Sequence, residues 1–297
     1  MTNGQGEPAG EPAGKPVNPS SDLPFERAAL ITGVAGGIGS ALRETFEADG
    51  YRVIGLDRVS VAMDRFVLCD LEQFAVDDAY RHEICERIVE HFPGGGPTDG
   101  FGVGAGPGSG AGPGSGGGSG TGARRALTVL VNNAALQVLG GVAELSARDW
   151  RATLNVNLVA PALLSQSLLP ALEAGNGSIV NVGSIHAHLT KAGFVAYATS
   201  KAALAGLTRA MAVDLGGRVR VNAVAPAATA TPMLEAGFAG RPEARAELDL
   251  AHPVGRIATP SEVAKVVLFL ASREASFISG STVAVDGGIG ARLHDPV

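Results

Sequence analysis

Cysteine is nearly missing from this chain. Its 297 residues include two, Cys69 and Cys85, at a separation that matches neither metal-ligand nor redox spacing. That excludes a disulfide framework or a zinc site as the basis of the fold, so no metal is expected and a reducing cytoplasm is. Basic residues are also short, 23 Lys and Arg against 29 Asp and Glu, for a formal net charge of -6. Capture of nucleic acid or an anionic membrane needs a concentrated basic face, so neither partner is expected. No window approaches the roughly 20 apolar residues that span a bilayer, and the polar, proline-rich start lacks the basic-then-apolar order of a secretory signal.

What is abundant is glycine, 42 residues of it, within a chain that is 45% apolar and 18% charged. Residues 1–24 hold almost no apolar material to offset ordering entropy and read as a disordered tail. Gly94 to Gly122, dominated by Gly, Pro and Ser, reads as a flexible insertion, whose length costs little because loop closure rises slowly with it. The remainder, 25–297, reads as one domain. Strands are expected at Ala28–Ile31, Arg52–Leu56, Phe66–Cys69, Leu127–Val131, Ser178–Val182, Arg218–Ala223 and Thr282–Val285. Helices are expected at Ile38–Asp49, Asp77–His91, Ala147–Glu173 with a break at Pro161, Tyr197–Leu215 and Pro260–Ala271. Strands alternating with helices require right-handed parallel crossovers, hence an α/β fold of Rossmann type: a doubly wound, seven-stranded parallel sheet with helices on both faces.

Gly33, Gly37 and Gly39 follow the first strand and open the first helix. Glycine there permits a tight turn and a close approach of backbone to a pyrophosphate, which then sits on the helix N-terminus beside Ile38. Asp57 ends the next strand, 18 residues beyond Gly39, at the spacing where a carboxylate accepts hydrogen bonds from the adenosine ribose. An acid there repels a 2′-phosphate, so NAD is expected over NADP, although the neighbouring Arg58 is able to pair with that phosphate.

Tyr197 and Lys201 stand four apart on one helix face. An ammonium beside a phenol favours the phenolate, so Lys201 is expected to lower the pKa of Tyr197 toward the range of an acid/base catalyst. Ser184, 13 residues upstream, ends a strand-derived run.

These motifs resemble the short-chain dehydrogenase/reductase family, in its form of about 250 residues, from about Arg27 to Gly288. The matching positions are Thr32–Gly39, Asn132-Asn133-Ala134-Ala135, Asn157, Ser184, Tyr197, Lys201 and Thr231. The resemblance implies that Tyr197 exchanges a proton with an alcohol or ketone oxygen during hydride transfer and that Ser184 orients that oxygen. Lys201 would bind the nicotinamide ribose, and Asn157 would hold a water that relays protons to it. Asp70 and Leu71 would meet the adenine, Asn132 and Ala134 would form a cofactor-side loop, and Pro226, Thr229 and Thr231 would meet the nicotinamide end. Ala135 and Ala227 stand where the family carries glycine, and alanine adds strain of about 1 kcal/mol if either position needs positive φ. Gly36 stands where relatives that use NADP often carry a basic residue.

Gln137 and His186 match positions that hold the substrate carboxylate in the family's 3-hydroxybutyrate dehydrogenases, whereas Phe194 replaces a lysine those enzymes use. They are the candidate substrate contacts, alongside the reading that they merely serve loop backbone. His188 and Lys191 add positive charge nearby. Met233–His252 is where the family carries a mobile lid. The expected enzyme is thus an NAD(H)-dependent oxidoreductase acting on a small-molecule secondary alcohol or ketone. The alternatives are a catalytically silent NAD(H)-binding sensor or scaffold, and a partner-binding module built on the insertion. By resemblance, a homo-oligomer, dimer or tetramer, is also expected.

Overall fold

The computed structural model describes residues 26–93 and 126–293; the tail expected at 1–24 and the insertion expected at 94–122 lie outside the described residues. Seven strands, β1 (Ala28–Thr32), β2 (Arg52–Asp57), β3 (Phe66–Leu68), β4 (Val129–Asn132), β5 (Ser178–Val182), β6 (Arg220–Pro226) and β7 (Thr282–Val285), form one sheet in the order β3-β2-β1-β4-β5-β6-β7. Every adjacent pair is parallel. Parallel strands covered by helices on both faces need apolar residues at successive positions, which is why β1, β4 and β5 are buried throughout.

The helices are α1 (Gly37–Ala48), α2 (Leu71–Val76), α3 (Asp78–Glu90), α4 (Ala147–Leu154), α5 (Ala160–Ser167), α6 (Leu169–Ala174), α7 (Val195–Leu215), α8 (Pro232–Gly237), α9 (Pro242–Ala251) and α10 (Pro260–Ala271). Alternation along the strands divides the core between two layers. Ala29, Ile31, Val131, Val180 and Val224 pack with Leu42 and Phe46 of α1 and Val263 and Val267 of α10. Leu30, Ile54, Leu130 and Ile179 pack on the other side with Ile84, Ile88, Leu164 and Leu172. Cys69 and Cys85 are free and belong to that second layer, where burial pushes the Cys69 thiol up to about 12. No helix among the described residues is long and apolar enough to cross a membrane.

Beyond shifts of one or two residues at several element ends and the added helix α2, three regions differ from the sequence expectation. The helix expected over Ala147–Glu173 is three helices, with a π-helical turn at Asn155–Val159 between α4 and α5 and a second break at Leu168. Pro161 has no N–H to offer the carbonyl of Asn157 four residues earlier, and Pro170 repeats the effect after Leu168. The sixth strand starts at Arg220 rather than Arg218, because Arg218 N–H still closes a turn onto Leu215 behind Gly216, whose φ is 53°. The expected lid, Met233–His252, holds α8 and α9, neither of which buries a residue. An ion pair from Arg245 of α9 to Glu235 of α8 joins them, and Arg245 also pairs with Asp249 one turn along α9. The strand order reverses between β1 and β4, so a crevice opens at the carboxyl ends of the strands there.

Candidate active site

The crevice begins where β1 ends. Thr32 Oγ1 accepts from the main-chain N–H groups of Asn133 and Ala134, each at 3.0 Å, which ties the first turn to the loop after β4. Gly33 sits at φ +69°, and a Cβ there would lie 2.7 Å from Ala134 Cα. A Cβ on Gly39 would lie 1.9 Å from the Gly33 carbonyl oxygen, and one on Gly37 would lie 2.9 Å from Thr231 and Pro232. The three expected glycines therefore bring together the β1 turn, the β4 loop and the β6 loop. At the N-terminus of α1, beside Ile38, no side chain caps the helix and no acid occupies its first turn, so the N–H groups that no helical carbonyl can serve face outward for an anion.

Asp57 supports this turn directly. Its carboxylate accepts from Ala35 N–H at 2.9 Å and from Val59 N–H at 3.0 Å, while Arg58 is exposed. An anion cradle followed by a carboxylate at the next strand end fits a dinucleotide, pyrophosphate on the helix and ribose on the acid. Asp70 caps α2 by accepting from Glu72 N–H at 2.8 Å and remains exposed past the end of β3. Leu71 departs from expectation, since its side chain is part of the core and only its main chain is left to meet a ligand. Pro226 ends β6, Thr229 is buried, and Thr231 caps α8 against Gly37.

Asn132 ends β4, where the cofactor-side loop begins, and its side chain is buried. Its amide donates to Asn181 Oδ1 at 2.8 Å, Asn181 donates to Thr208 Oγ1 at 2.9 Å, and Thr208 donates to the Leu204 carbonyl at 2.9 Å. This buried polar chain pins the floor of the crevice to α7, while Asn132 Oδ1 is left without a partner. Ala135 and Ala227 are unstrained, because Asn176 is the one non-glycine residue with positive φ among the described residues.

The chemical centre lies where β5 delivers Ser184 beside the first turns of α7. Lys201 is 2% exposed, and its Nζ donates to the Val182 carbonyl at 2.8 Å and stands 5.7 Å from the Tyr197 ring centroid. Ser200 Oγ donates to the Tyr197 carbonyl at 2.7 Å and accepts from the Asn157 amide at 2.9 Å. Asn157 spends the rest of its side chain on Leu136, accepting from its N–H at 2.7 Å and donating to its carbonyl at 2.9 Å. Asn157 thus clamps the β4 loop to α7, and its side chain makes no hydrogen bond to Lys201. Its carbonyl has Pro161 at the α-helical donor position, so no N–H reaches it from there.

The expected depression of the Tyr197 pKa is not found. Burial raises the phenol above its ordinary value, and a side-chain hydrogen bond from Ser184 works against that rise. Burial also pulls Lys201 down to about 8. The i, i+4 spacing makes the two side chains neighbours, but the Lys201 ammonium points at the Val182 carbonyl, so desolvation outweighs its pull on the phenol.

A family model described as enoyl-(acyl carrier protein) reductase matches residues 122–290, and one for NAD-dependent epimerases and dehydratases matches residues 29–92. The chain is 33% identical to a 3-oxoacyl-[acyl-carrier-protein] reductase of Thermotoga maritima over 89% of its length and 97% of that protein's. The chain belongs to the short-chain dehydrogenase/reductase family. It is 32% identical to a meso-2,3-butanediol dehydrogenase of Serratia marcescens, covering 91% of this chain and 97% of that one. The ligand-free aldohexose dehydrogenase of Thermoplasma acidophilum has the same fold, at a TM-score of 0.75 and 29% identity, with coverage of 92% and 97%. As a short-chain dehydrogenase/reductase, the protein is an enzyme that moves a hydride between a nicotinamide cofactor and an alcohol or ketone, not a silent sensor.

The wall beside the Tyr197 ring centres on His186. Its ring stacks on Phe194, with centroids 4.5 Å apart and planes 3° apart, and meets the Tyr197 ring edge-on at 5.7 Å. Nδ1 lies 3.1 Å from Thr190 Oγ1, and burial, with help from the Lys191 charge, holds the imidazole below its ordinary pKa. Gln137 is exposed on the β4 loop, whose Gly140 N–H donates to the Gly193 carbonyl at 2.8 Å. The sequence reading missed the part Phe194 plays here. An aromatic three residues before Tyr197, on the same helical face, was the available signal.

Proposed function

We propose that Tyr197 is the acid/base of an NAD-preferring alcohol dehydrogenase or ketone reductase, with Ser184, Lys201 and Asn157 completing the group. The observation that carries this reading is the meeting beside Tyr197 of the Ser184 hydroxyl, bonded to the phenol, and the buried Lys201, whose Nζ lies 5.7 Å from the phenol ring centroid, with only β4 between their strand and the one that leads to the anion cradle at α1. Ser184 and Tyr197 hold the reacting oxygen between two hydroxyls. In the oxidation direction Tyr197 takes the alcohol proton, and in the reduction direction it supplies one to the ketone oxygen. Lys201 holds the ribose hydroxyls, and the Asn157 clamp keeps the β4 loop against α7. The nicotinamide, when bound, accepts or donates the hydride.

Gly33, Gly37, Ile38 and Gly39 would hold the pyrophosphate, Asp57 the adenosine ribose, and Asp70 the adenine. Ala134, Pro226, Thr229 and Thr231 would line the path to the nicotinamide. Asp57, its carboxylate fixed by two N–H donors, would favour NAD because an acid at the adenosine ribose would repel the 2′-phosphate of NADP. The substrate is a small secondary alcohol or its ketone, as the relative named for 2,3-butanediol suggests. We further infer a cytoplasmic homo-oligomer, dimer or tetramer, paired through the α4–α6 and α7 faces, which sedimentation at micromolar concentration checks.

The test is a screen of hydroxy acids, polyols and steroid alcohols with NAD and with NADP, read by absorbance of the reduced cofactor. Turnover that survives intact in Tyr197→Phe would remove the mechanism. Equal kcat/KM for both cofactors would remove the NAD preference.

A further inference from the structure

We propose that the enzyme reads a second, uncharged oxygen on the carbon next to the reacting one through the ring of His186, so that its substrates are vicinal diols and the matching hydroxy ketones. This inference rests on the assignment of the reacting oxygen to Ser184 and Tyr197 made above.

Four contacts set the position of His186. Its main-chain N–H donates to Ser184 Oγ at 3.2 Å, and its Nδ1 lies 3.1 Å from Thr190 Oγ1. One ring face stacks on Phe194 at 4.5 Å, and the ring stands at 75° to that of Tyr197. His186 is therefore bonded to one of the reacting hydroxyls and packed against the ring that bears the other. With Nδ1 engaged by Thr190, Nε2 is the ring nitrogen left for a ligand, and the stack keeps the imidazole from turning away. In a vicinal diol the two oxygens lie about a hydrogen bond's length apart, so a substrate held at Ser184 and Tyr197 brings its second oxygen to the neighbouring residue.

The chemistry of the group favours a hydroxyl or carbonyl over a carboxylate. Burial and the Lys191 charge both disfavour the imidazolium, so His186 meets its ligand as a neutral ring that donates or accepts one hydrogen bond. Lys191, the nearby cation that a carboxylate would seek, is committed elsewhere. Its Nζ sits over the ring of Phe194, 4.8 Å from the centroid, where the aromatic face attracts the ammonium. The position three residues before Tyr197 is a platform for His186 in this chain, not a charge.

The test compares diols with matched single alcohols in two sizes, butane-2,3-diol with butan-2-ol and cyclohexane-1,2-diol with cyclohexanol. For at least one pair, kcat/KM is expected to favour the diol by about tenfold, the scale of one well-placed hydrogen bond. The ratio, which cancels any general loss of activity, is expected to fall to about one in His186→Ala and part-way in Phe194→Leu. A second arm needs no turnover. Acetoin and butan-2-one, and 2-hydroxycyclohexanone and cyclohexanone, are titrated into Tyr197→Phe loaded with reduced cofactor, with nicotinamide fluorescence as the readout. The hydroxy ketone is expected to bind more tightly by a similar factor, and His186→Ala in that background is expected to erase the difference. Equal binding within both pairs, or a preference that survives His186→Ala, overturns the inference. A binding preference that depends on His186, found without turnover of any alcohol, sustains it and removes the catalytic reading instead.

Discussion

Lys201 Nζ donates to the main-chain carbonyl of Val182 at 2.8 Å, at the end of the strand that delivers Ser184. One carbonyl is a small return for burying an ammonium, and burial brings its pKa from 10.5 to about 8. A base with a lower folded than unfolded value binds fewer protons in the folded state. The cost of its charge is therefore full below about pH 8 and is relieved as pH rises toward 10.5. Lys201→Met is expected to abolish turnover and to stabilise the cofactor-free protein at pH 7, by up to about 3 kcal/mol. The advantage should shrink as pH rises through that window. Urea unfolding at pH 7 and near the top of the window measures both ends, and a Met variant less stable than the parent at pH 7 contradicts the account.

Ser184 and Lys201 affect Tyr197 unequally. Burial raises the phenol and the Ser184 hydrogen bond lowers it, so removing the hydroxyl leaves the raising effect unopposed. In Ser184→Ala the rising limb of kcat/KM for alcohol oxidation is expected to move to higher pH, and the plateau to fall by on the order of a hundredfold. Ser184→Thr, which keeps a hydroxyl, is expected to return the limb toward its original position. A profile that falls without shifting would mean that Ser184 orients substrate and leaves the Tyr197 proton alone.

The contrast between these two residues shows what sequence can carry. The expected β5 and β7 match the structure to the residue, because short apolar runs between turns have little freedom to pair otherwise. The glycine turn, Asp57, Ser184, Tyr197 and Lys201 were all legible from local spacing. Which force dominates at Tyr197 was not, since the competition between desolvation and charge depends on how deep β5 and α7 bury Lys201. Asn157 was visible as a residue type, but its partners Leu136 and Ser200 lie 21 and 43 positions away. Phe194 was read as a missing lysine, and only the fold brings it under His186.

The Asn157 clamp is a network, so its members should not behave additively. Asn157→Ala removes three hydrogen bonds, one of them fully buried, and strands both polar groups of Leu136. A loss of about 2–4 kcal/mol is expected, together with a large fall in kcat as the β4 loop leaves α7. Ser200→Ala breaks one bond to Asn157 and one to Tyr197, and about 1 kcal/mol is expected. The double variant should cost less than the two separate losses combined, because the second change removes a partner already lost. Denaturant midpoints for the four proteins of this cycle measure the coupling, and strict additivity would mean that the shared bond contributes nothing.

Gly36 and Gly39 lie three residues apart in the same turn, yet the space around them differs. A Cβ on Gly39 would fall 1.9 Å from the Gly33 carbonyl oxygen and 2.8 Å from Val34 Cα, both main-chain atoms that cannot swing aside. A Cβ on Gly36 would meet only that same oxygen, at 3.4 Å, from a backbone at φ -74° that any residue adopts. Gly39→Ala must therefore push the β1 turn off the helix N-terminus and is expected to weaken cofactor binding by a hundredfold or more, on the order of 3 kcal/mol. Gly36→Ala is expected to fold with parental stability and to change affinity by less than about fivefold. Quenching of Trp150 fluorescence, or nicotinamide fluorescence itself, titrated with reduced cofactor against both variants decides the matter. Equal losses in the two would mean that glycine serves this turn through chain flexibility rather than through the contact of Gly39 with Gly33.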